Sequence, residues 1–221
     1  MSVSPATQQI GQFHYSEIAP HSCAYLLPAV LKMLPRLSSS SRVLDVGCGN
    51  GAIANAFLDS GCHVVGIDVS SDGIEVARRL YGANSRARFE ILSAGIDMLE
   101  QLDERPFDLV VSTEVIEHLY NPAALAKGAF DALRPGGCFI CSTPYHGYLK
   151  NLALAATGSL DQHFEARDVG GHIKFWSRRS LSDLFREVGF RGLQFRGAGR
   201  VPLLWKSMLI SGSKPGAPIL S

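Results

Sequence analysis

The stretch RVLDVGCGNGAIA, Arg42–Ala54, decides the fold of this chain. An apolar run ending at Val46 leads into three closely spaced glycines, Gly47, Gly49 and Gly51, and then into a pattern compatible with a helix. This order predicts a buried parallel strand, a tight turn and a helix N-terminus. Glycines suit such a turn because they adopt positive φ and let the backbone approach a ligand closely. We therefore interpret the turn as part of a nucleotide-binding site.

An acidic residue ends the next apolar strand, HVVGID, residues 63–68. Asp68 lies about 20 residues beyond the first glycine, the offset at which a carboxylate meets ribose hydroxyls in such folds. The glycines alone leave two classes of enzyme open. Read with Ala52 as the last small residue, the turn also fits G-x-G-x-x-A, the pattern of dinucleotide-dependent oxidoreductases.

Three further motifs follow in order: GIDVS, FDLVVSTEVIEHL at 107–119 and LRPGG at 133–137. With the first stretch, this series resembles the motifs of class I S-adenosylmethionine-dependent methyltransferases over residues 42–143. The resemblance implies an α/β fold: a doubly wound, Rossmann-like sheet of strand order 3-2-1-4-5-7-6, strand 7 antiparallel, with an insertion after strand 5. It also implies that S-adenosylmethionine is the methyl donor and S-adenosylhomocysteine the product.

The same resemblance implies which residues contact the cofactor. They come from the first motif, the second motif, the end of the third strand and the end of the fourth: Asp45, Gly47, Gly49, Gly51, Asp68, Val69, Ser93 and Glu114.

The string Glu114-Val115-Ile116-Glu117-His118 permits a metal site. If it is helical, Glu114, Glu117 and His118 share one face, and two carboxylates with one imidazole suit a divalent ion. The same E-x-x-E-H string occurs in ubiquinone-biosynthesis O-methyltransferases, where it is linked to magnesium. It also occurs in relatives without metal, where the histidine supports the loop. Both interpretations stay open from the sequence, and we do not expect a bound metal.

Residues 144–177 form an insertion that gathers aromatic and histidine residues, and we predict that it covers the methyl acceptor. We expect an O-methyltransferase acting on a small phenolic or quinol-like acceptor. A phenol has a pKa near 10, so a base helps to expose its oxygen at neutral pH. Glycines beside His172 and His146 favour these two imidazoles, in that order, as bases. N- or C-methylation and a non-catalytic partner protein are the alternatives.

With 221 residues, the chain is long enough for one α/β domain spanning 1–221. We predict an N-terminal arm or lid at 1–25 and a flexible tail at 213–221. Within the arm, Tyr15 or Tyr25 either covers the cofactor or closes the edge of the sheet, and the sequence leaves both open. A net charge of +1 gives no strong field toward nucleic acid, so we expect none as a partner.

No secretory signal or membrane-spanning run is visible, and five scattered cysteines suit a reducing compartment, so we expect a cytoplasmic protein. Cys138 and Cys141 are expected to point to opposite faces of one strand. The helix predicted at Tyr148–Ala156 has few charges, which allows a weak peripheral contact with a membrane. The sequence does not determine the oligomeric state.

Overall fold

The computed structural model describes residues 15–160 and 171–216. Seven strands lie in these ranges: β1 (Arg42–Val46), β2 (His63–Asp68), β3 (Ala87–Ile91), β4 (Phe107–Thr113), β5 (Leu133–Pro144), β6 (Arg191–Ala198) and β7 (Ser207–Ser213). They form one sheet of order β3-β2-β1-β4-β5-β7-β6. The first five run parallel, and β7 is antiparallel to both β5 and β6. The predicted fold class and strand order are confirmed.

Helices connect the strands: α1 (Cys23–Leu31), α2 (Ala52–Asp59), α3 (Ser71–Tyr81), α4 (Met98–Leu102), α5 (Pro122–Ala132), α6 (Tyr148–Ala156) and α7 (Arg178–Val188). The side chains of Ser70 and Asn121 cap α3 and α5 by accepting backbone N–H bonds. Apolar residues recur at helical spacing from Leu26 to Leu37 and predict a helix over that range, but α1 ends at Leu31. Pro35 explains this, because the residue before a proline is disfavoured in the helical conformation.

Each face of the sheet carries its own hydrophobic cluster, since successive residues of a strand point in opposite directions. Val43 packs in the cluster with α1 and α2, whereas Leu44 packs in the cluster with α5 and α7. Cys138 and Cys141 fall into different clusters, as predicted, and the five cysteines are all free thiols. The spacing C-x-x-C in this strand therefore marks no redox pair.

The order of the strands reverses between β1 and β4, which lie side by side at the centre of the sheet. In open α/β sheets, ligands bind outside the carboxyl ends of the strands at such a reversal. The turn after β1 and the segment after β4 both lie at this place.

Among the described helices, none combines the length and the apolar character required to traverse a bilayer. Helix α6 does expose large apolar side chains: Tyr148, Leu149 and Leu152 are 79%, 50% and 52% accessible. Contact of this helix with a membrane surface stays a prediction. Residues 1–14 of the predicted arm, 161–170 of the insertion and 217–221 of the tail lie outside the described residues.

Candidate cofactor and acceptor site

A cavity of about 490 Å³ opens at the carboxyl ends of β1, β2 and β4, within the range typical of small-molecule sites. One end is formed by the glycine turn and the end of β2, the other by the segment after β4 and by the insertion. Its walls include Tyr15, Gly47, Cys48, Gly49, Asp68, Val69, Ser93, Glu114, Val115, His118, Leu119, Tyr120, Gly171 and Ile173. The cavity thus contains six of the eight predicted cofactor residues; Asp45 and Gly51 are the other two.

Asp68 is buried at the base of this cavity and connects the two halves of the nucleotide cradle. One carboxylate oxygen accepts the N–H of Gly49 at 2.8 Å, and the other accepts the N–H of Ser70 at 2.8 Å. Burial raises the pKa of Asp68, while the surrounding backbone N–H groups act to lower it. The carboxylate therefore fixes the turn after β1 against the turn after β2, in addition to facing the cavity.

The glycines of the turn have positive φ and lie where a side chain would not fit. Gly47 has φ of 76°, and a Cβ placed there would be 2.2 Å from Cγ2 of Val115. Gly49 has φ of 50°, and its Cβ would be 2.5 Å from Cε1 of Tyr15. Gly51 serves packing instead, since its Cβ would press on Tyr81. Bare backbone is thus required at all three positions, and the first two face the cavity.

Replacing Gly47 by alanine is expected to lower the free energy of unfolding by about 2–5 kcal/mol. Left-handed backbone costs a residue with a Cβ roughly 1–2 kcal/mol, and crowding of a packed site adds about 1–3 kcal/mol. Gly158 is a matched control because its φ is 67° and a Cβ there meets nothing within 4 Å. Urea unfolding of the two alanine variants measures the difference. Equal losses of stability in the two variants would show that the side chain of Val115 moves to make room for the added methyl group. The close contact between Gly47 and Val115 would then not require glycine.

Asp45 lies beneath the turn rather than in the cavity wall. Its side chain is fully buried, and neither carboxylate oxygen has a hydrogen bond of normal geometry within the described ranges. Burial, followed by the negative charge of Asp68, raises the pKa of Asp45 to about 7, and the backbone N–H of Ala54 acts in the opposite direction. A direct contact between Asp45 and the cofactor stays a prediction, because Asp45 is buried and is not among the residues that line the cavity.

Tyr15 lies over the glycine turn. Its ring is the neighbour that a Cβ on Gly49 or Gly73 would meet, and it forms part of the cavity wall. Burial, followed by the charges of Asp68 and Cys48, raises its pKa. Tyr25 is placed differently: its hydroxyl is 3.5 Å from Oγ of Ser207, on β7. Of the two tyrosines considered for a lid, Tyr15 is the one beside the predicted cofactor site.

Glu114 follows β4 with a left-handed backbone, φ of 55°, which is uncommon for a residue with a side chain. Its Oε1 accepts the hydroxyl of Ser142 at 2.7 Å and its Oε2 that of Ser207 at 3.1 Å. Burial raises its pKa, and these two hydroxyls oppose the shift. The carboxylate is thus held toward β5 and β7, although the residue also lines the cavity.

The shared face expected for Glu114, Glu117 and His118 does not form. Only Ile116–His118 is helical, as one short 3₁₀ turn, and Glu114 lies before it. Instead, His172 from the insertion joins the other two residues. Nε2 of His118 and Nε2 of His172 are each 4.0 Å from Oε1 of Glu117. Local spacing gives no signal for this grouping, because His172 comes from a distant part of the chain.

The insertion is fastened to the 3₁₀ turn by backbone groups. The carbonyl of Glu117 accepts the N–H groups of Ile173 and Lys174, both at 3.0 Å. Nδ1 of His118 lies 3.2 Å from the carbonyl oxygen of Gly171. Gly171 and Ile173 therefore reach the cavity wall, whereas His146 packs its ring edge-on against Phe175, 5.2 Å away. His163, which belongs to the same insertion, lies outside the described residues.

The sequence of this chain matches a known family. The sequence profile described as "Methyltransferase domain" matches residues 15–194. The chain belongs to the class I S-adenosylmethionine-dependent methyltransferases. This membership decides against the dinucleotide oxidoreductase that the glycines alone left open.

Similar proteins include several that are named ubiquinone biosynthesis O-methyltransferase. The chain is 30% identical over 166 residues to the ubiquinone biosynthesis O-methyltransferase of Ruegeria pomeroyi, a match that covers 75% of this chain and 66% of that relative. It thus spans slightly less than two thirds of that relative's length.

Solved structures of the same fold are more distant in sequence. An S-adenosylmethionine-dependent methyltransferase from Mesorhizobium loti has a TM-score of 0.65 at 23% identity, covering 85% of this chain and 96% of that one. Phosphoethanolamine N-methyltransferase 2 of Haemonchus contortus, solved with S-adenosylmethionine, has a TM-score of 0.63 at 18% identity, covering 86% and 52%. At these identities the likeness concerns the fold alone.

Proposed function

We propose that this methyltransferase transfers the methyl group of S-adenosylmethionine to a hydroxyl oxygen of a small phenolic or quinol-like acceptor. The observation that carries the proposal is the continuity of one cavity. Its lining includes Gly49 and Asp68 as well as His118, Gly171 and Ile173, which supports a donor and an acceptor bound next to each other.

The donor end fits an adenosyl group. Gly47 and Gly49 line the cavity with bare backbone, since a Cβ at these positions would collide with Val115 or Tyr15, and Asp68 presents a buried carboxylate in the same wall. We assign Asp68 to the ribose hydroxyls, Val69 and Ser93 to the base, and the glycine turn to the remainder of the molecule. The predicted lid role falls to Tyr15, whose ring closes the cavity over Gly49.

The acceptor end combines apolar walls with one imidazole. Leu119, Tyr120 and Ile173 line it together with His118, an arrangement suited to an aromatic ring that carries a hydroxyl group. The predicted acceptor cap at 144–177 contributes through Gly171 and Ile173. The name of the Ruegeria relative, which specifies an O-methyltransferase, supports a hydroxyl acceptor over an amine or a carbon.

Bound S-adenosylmethionine supplies an electrophilic methyl group on a sulfonium ion. The chain has to align the acceptor oxygen with that methyl carbon, exclude water and receive the proton that the hydroxyl gives up. Which imidazole receives the proton stays a prediction. His172 lies in the group beside the cavity wall, whereas His146 is turned toward Phe175.

Matched acceptors test the proposal directly. The full chain would be incubated with S-adenosylmethionine carrying a deuterated methyl group and with 3,4-dihydroxybenzoate or 3,4-diaminobenzoate, with and without an alkyl tail. Mass spectrometry locates the label. We expect transfer to a ring oxygen of the dihydroxy compounds. Transfer to nitrogen or to ring carbon in preference to oxygen would instead identify the N- or C-methyltransferase of the same fold.

A further inference from the structure

One side chain of the glycine turn binds the N-terminal residues that lie over the cavity. Asn50 follows Gly49 and is buried, with 3% of its surface accessible. Its Nδ2 donates one hydrogen bond to the carbonyl of Ser16 at 2.9 Å and another to the carbonyl of Ile18 at 3.0 Å. Both N–H groups of the amide are therefore used on residues 15–18, which we call the cover segment.

The partners of Asn50 determine which way its amide points. Its Oδ1 accepts the N–H of Ala52 at 3.3 Å, at the beginning of α2. If the amide were reversed, its oxygen would face two carbonyl oxygens, and none of these three atoms could donate a hydrogen bond. The oxygen of Asn50 thus serves the turn, and its nitrogen serves the cover segment. Aspartate has almost the same shape but cannot donate, so it separates the two tasks.

The ring of Tyr15 packs against backbone that carries no side chain. A Cβ on Gly49 would be 2.5 Å from its Cε1, and a Cβ on Gly73, in α3, would be 3.0 Å from its Cδ2. An ion pair between Glu17 and Arg79 also joins the cover segment to α3, but both side chains are 59% accessible, so solvent weakens this pair. The two hydrogen bonds of the buried Asn50 are therefore the stronger connection.

We propose that Asn50 is a positioning residue for the methyl donor. Its amide holds the cover segment closed, and S-adenosylmethionine and S-adenosylhomocysteine exchange when its two bonds to the segment break. Tyr15 and Asp68 line the same cavity, and both adjoin Gly49, whose N–H donates to Asp68 at 2.8 Å. A donor bound against Asp68 is thus enclosed by the segment that Asn50 fixes. The inference rests on the donor half of the proposed function and is independent of the acceptor.

Closure of the cover segment and binding of the donor should reinforce each other, because the coupling between two binding events is reciprocal. Bound S-adenosylmethionine should protect the segment from proteolysis, and loss of the Asn50 bonds should speed the release of the donor. Two neutral hydrogen bonds correspond to roughly 10- to 100-fold in the dissociation rate. The association rate should not fall, since an open segment leaves the cavity accessible.

The dissociation rate of the donor tests the proposal in the full chain. Protein loaded with tritium-labelled S-adenosylmethionine would be chased with an excess of the unlabelled compound. Asn50→Asp keeps an acceptor for the Ala52 N–H and removes both donors to the cover segment, so we expect dissociation to be faster by the factor given above. Asn55→Asp is the matched control, because it makes the same change at an asparagine of α2 whose amide donates to the exposed Asp59.

A double-mutant cycle separates positioning from a general loosening of the turn. Tyr15→Ala removes the ring that lies over Gly49, so Asn50→Asp should add little to its effect when the amide acts through the cover segment. Chymotrypsin, which cleaves after tyrosine, provides a second readout on the cofactor-free protein. We expect faster cleavage after Tyr15 in Asn50→Asp than in Asn55→Asp or the wild type, and slower cleavage of the wild type when S-adenosylmethionine is bound.

Asn50→Ser is a second, uncharged variant that should release the donor faster than the wild type, and urea unfolding verifies that each variant folds. An unchanged dissociation rate in both Asn50 variants, an equal increase in Asn55→Asp, or effects of Tyr15→Ala and Asn50→Asp that multiply in the double variant would overturn the proposal. Wild-type protein that binds no S-adenosylmethionine would overturn the proposed function together with this inference, whereas the other three results leave the proposed function intact.

Discussion

Asp68→Ala is expected to weaken the binding of S-adenosylmethionine by about 100-fold or more. A hydrogen bond to a charged group contributes roughly 1.5–3 kcal/mol, which corresponds to about 10- to 150-fold in affinity for a single lost ribose contact. The structure adds a second cause. The same carboxylate accepts the N–H groups of Gly49 and Ser70, so its removal also releases the turn that forms the cradle.

Isothermal calorimetry with S-adenosylmethionine measures this effect, and two further variants separate its causes. Asp68→Asn retains one acceptor oxygen for a backbone N–H, so its affinity for S-adenosylmethionine should lie between those of the wild type and of Asp68→Ala. Glu75→Ala removes an exposed carboxylate from α3 and should bind the cofactor as wild type does. Unchanged affinity in Asp68→Ala would contradict both the ribose assignment and the role of the carboxylate in the turn.

Asp45→Asn is expected to raise the stability of the cofactor-free protein at pH 8 by about 2–3 kcal/mol more than at pH 5. The pKa of Asp45 is raised from 3.8 to about 7 in the folded chain. The unfolded chain therefore loses this proton at lower pH than the folded chain, and stability falls as the pH rises from about 4 to about 7. One pKa unit corresponds to about 1.4 kcal/mol, so about two units lie between pH 5 and pH 7.

Urea unfolding of wild type and Asp45→Asn at the two pH values tests this prediction. The difference between the two proteins isolates Asp45 from other buried carboxyls, such as Glu117, whose pKa is also raised by burial. Asp59→Asn, which also removes one carboxylate but at the exposed end of α2, is the control for the change of residue type. If Asp45→Asn destabilised the chain equally at both pH values, the buried carboxylate would have hydrogen-bonding partners worth more than its desolvation costs.

Much of the fold was predictable because its signals are local. The run into Gly47, Gly49 and Gly51 specifies a strand, a turn and a helix, and it needs only the backbone preferences of glycine and apolar periodicity. The strand order came from the resemblance to a family, since composition and spacing alone do not determine it. The apolar run HVVGID predicted that Asp68 ends β2, and the offset of Asp68 from the first glycine gave only its expected role toward the ribose.

The arrangement at the acceptor end was less predictable, and the physical reasons are specific. A left-handed backbone at Glu114 has no signal in the residue type, yet it turns the carboxylate toward Ser142 and Ser207. The helix expected through the E-x-x-E-H string is reduced to three residues, which separates Glu114 from Glu117. The approach of His172 depends on tertiary contacts made by the insertion, and no local pattern records those contacts.

The backbone bonds between the 3₁₀ turn and the insertion have a consequence for engineering. Because the carbonyl of Glu117 accepts the N–H groups of Ile173 and Lys174, the two segments form one unit. A chimera that takes the insertion from a homologous enzyme would also have to take that enzyme's counterpart of residues 116–118. Acceptor preference should therefore be exchanged between homologous enzymes as a pair of segments, and libraries that shuffle either segment alone should yield few active clones.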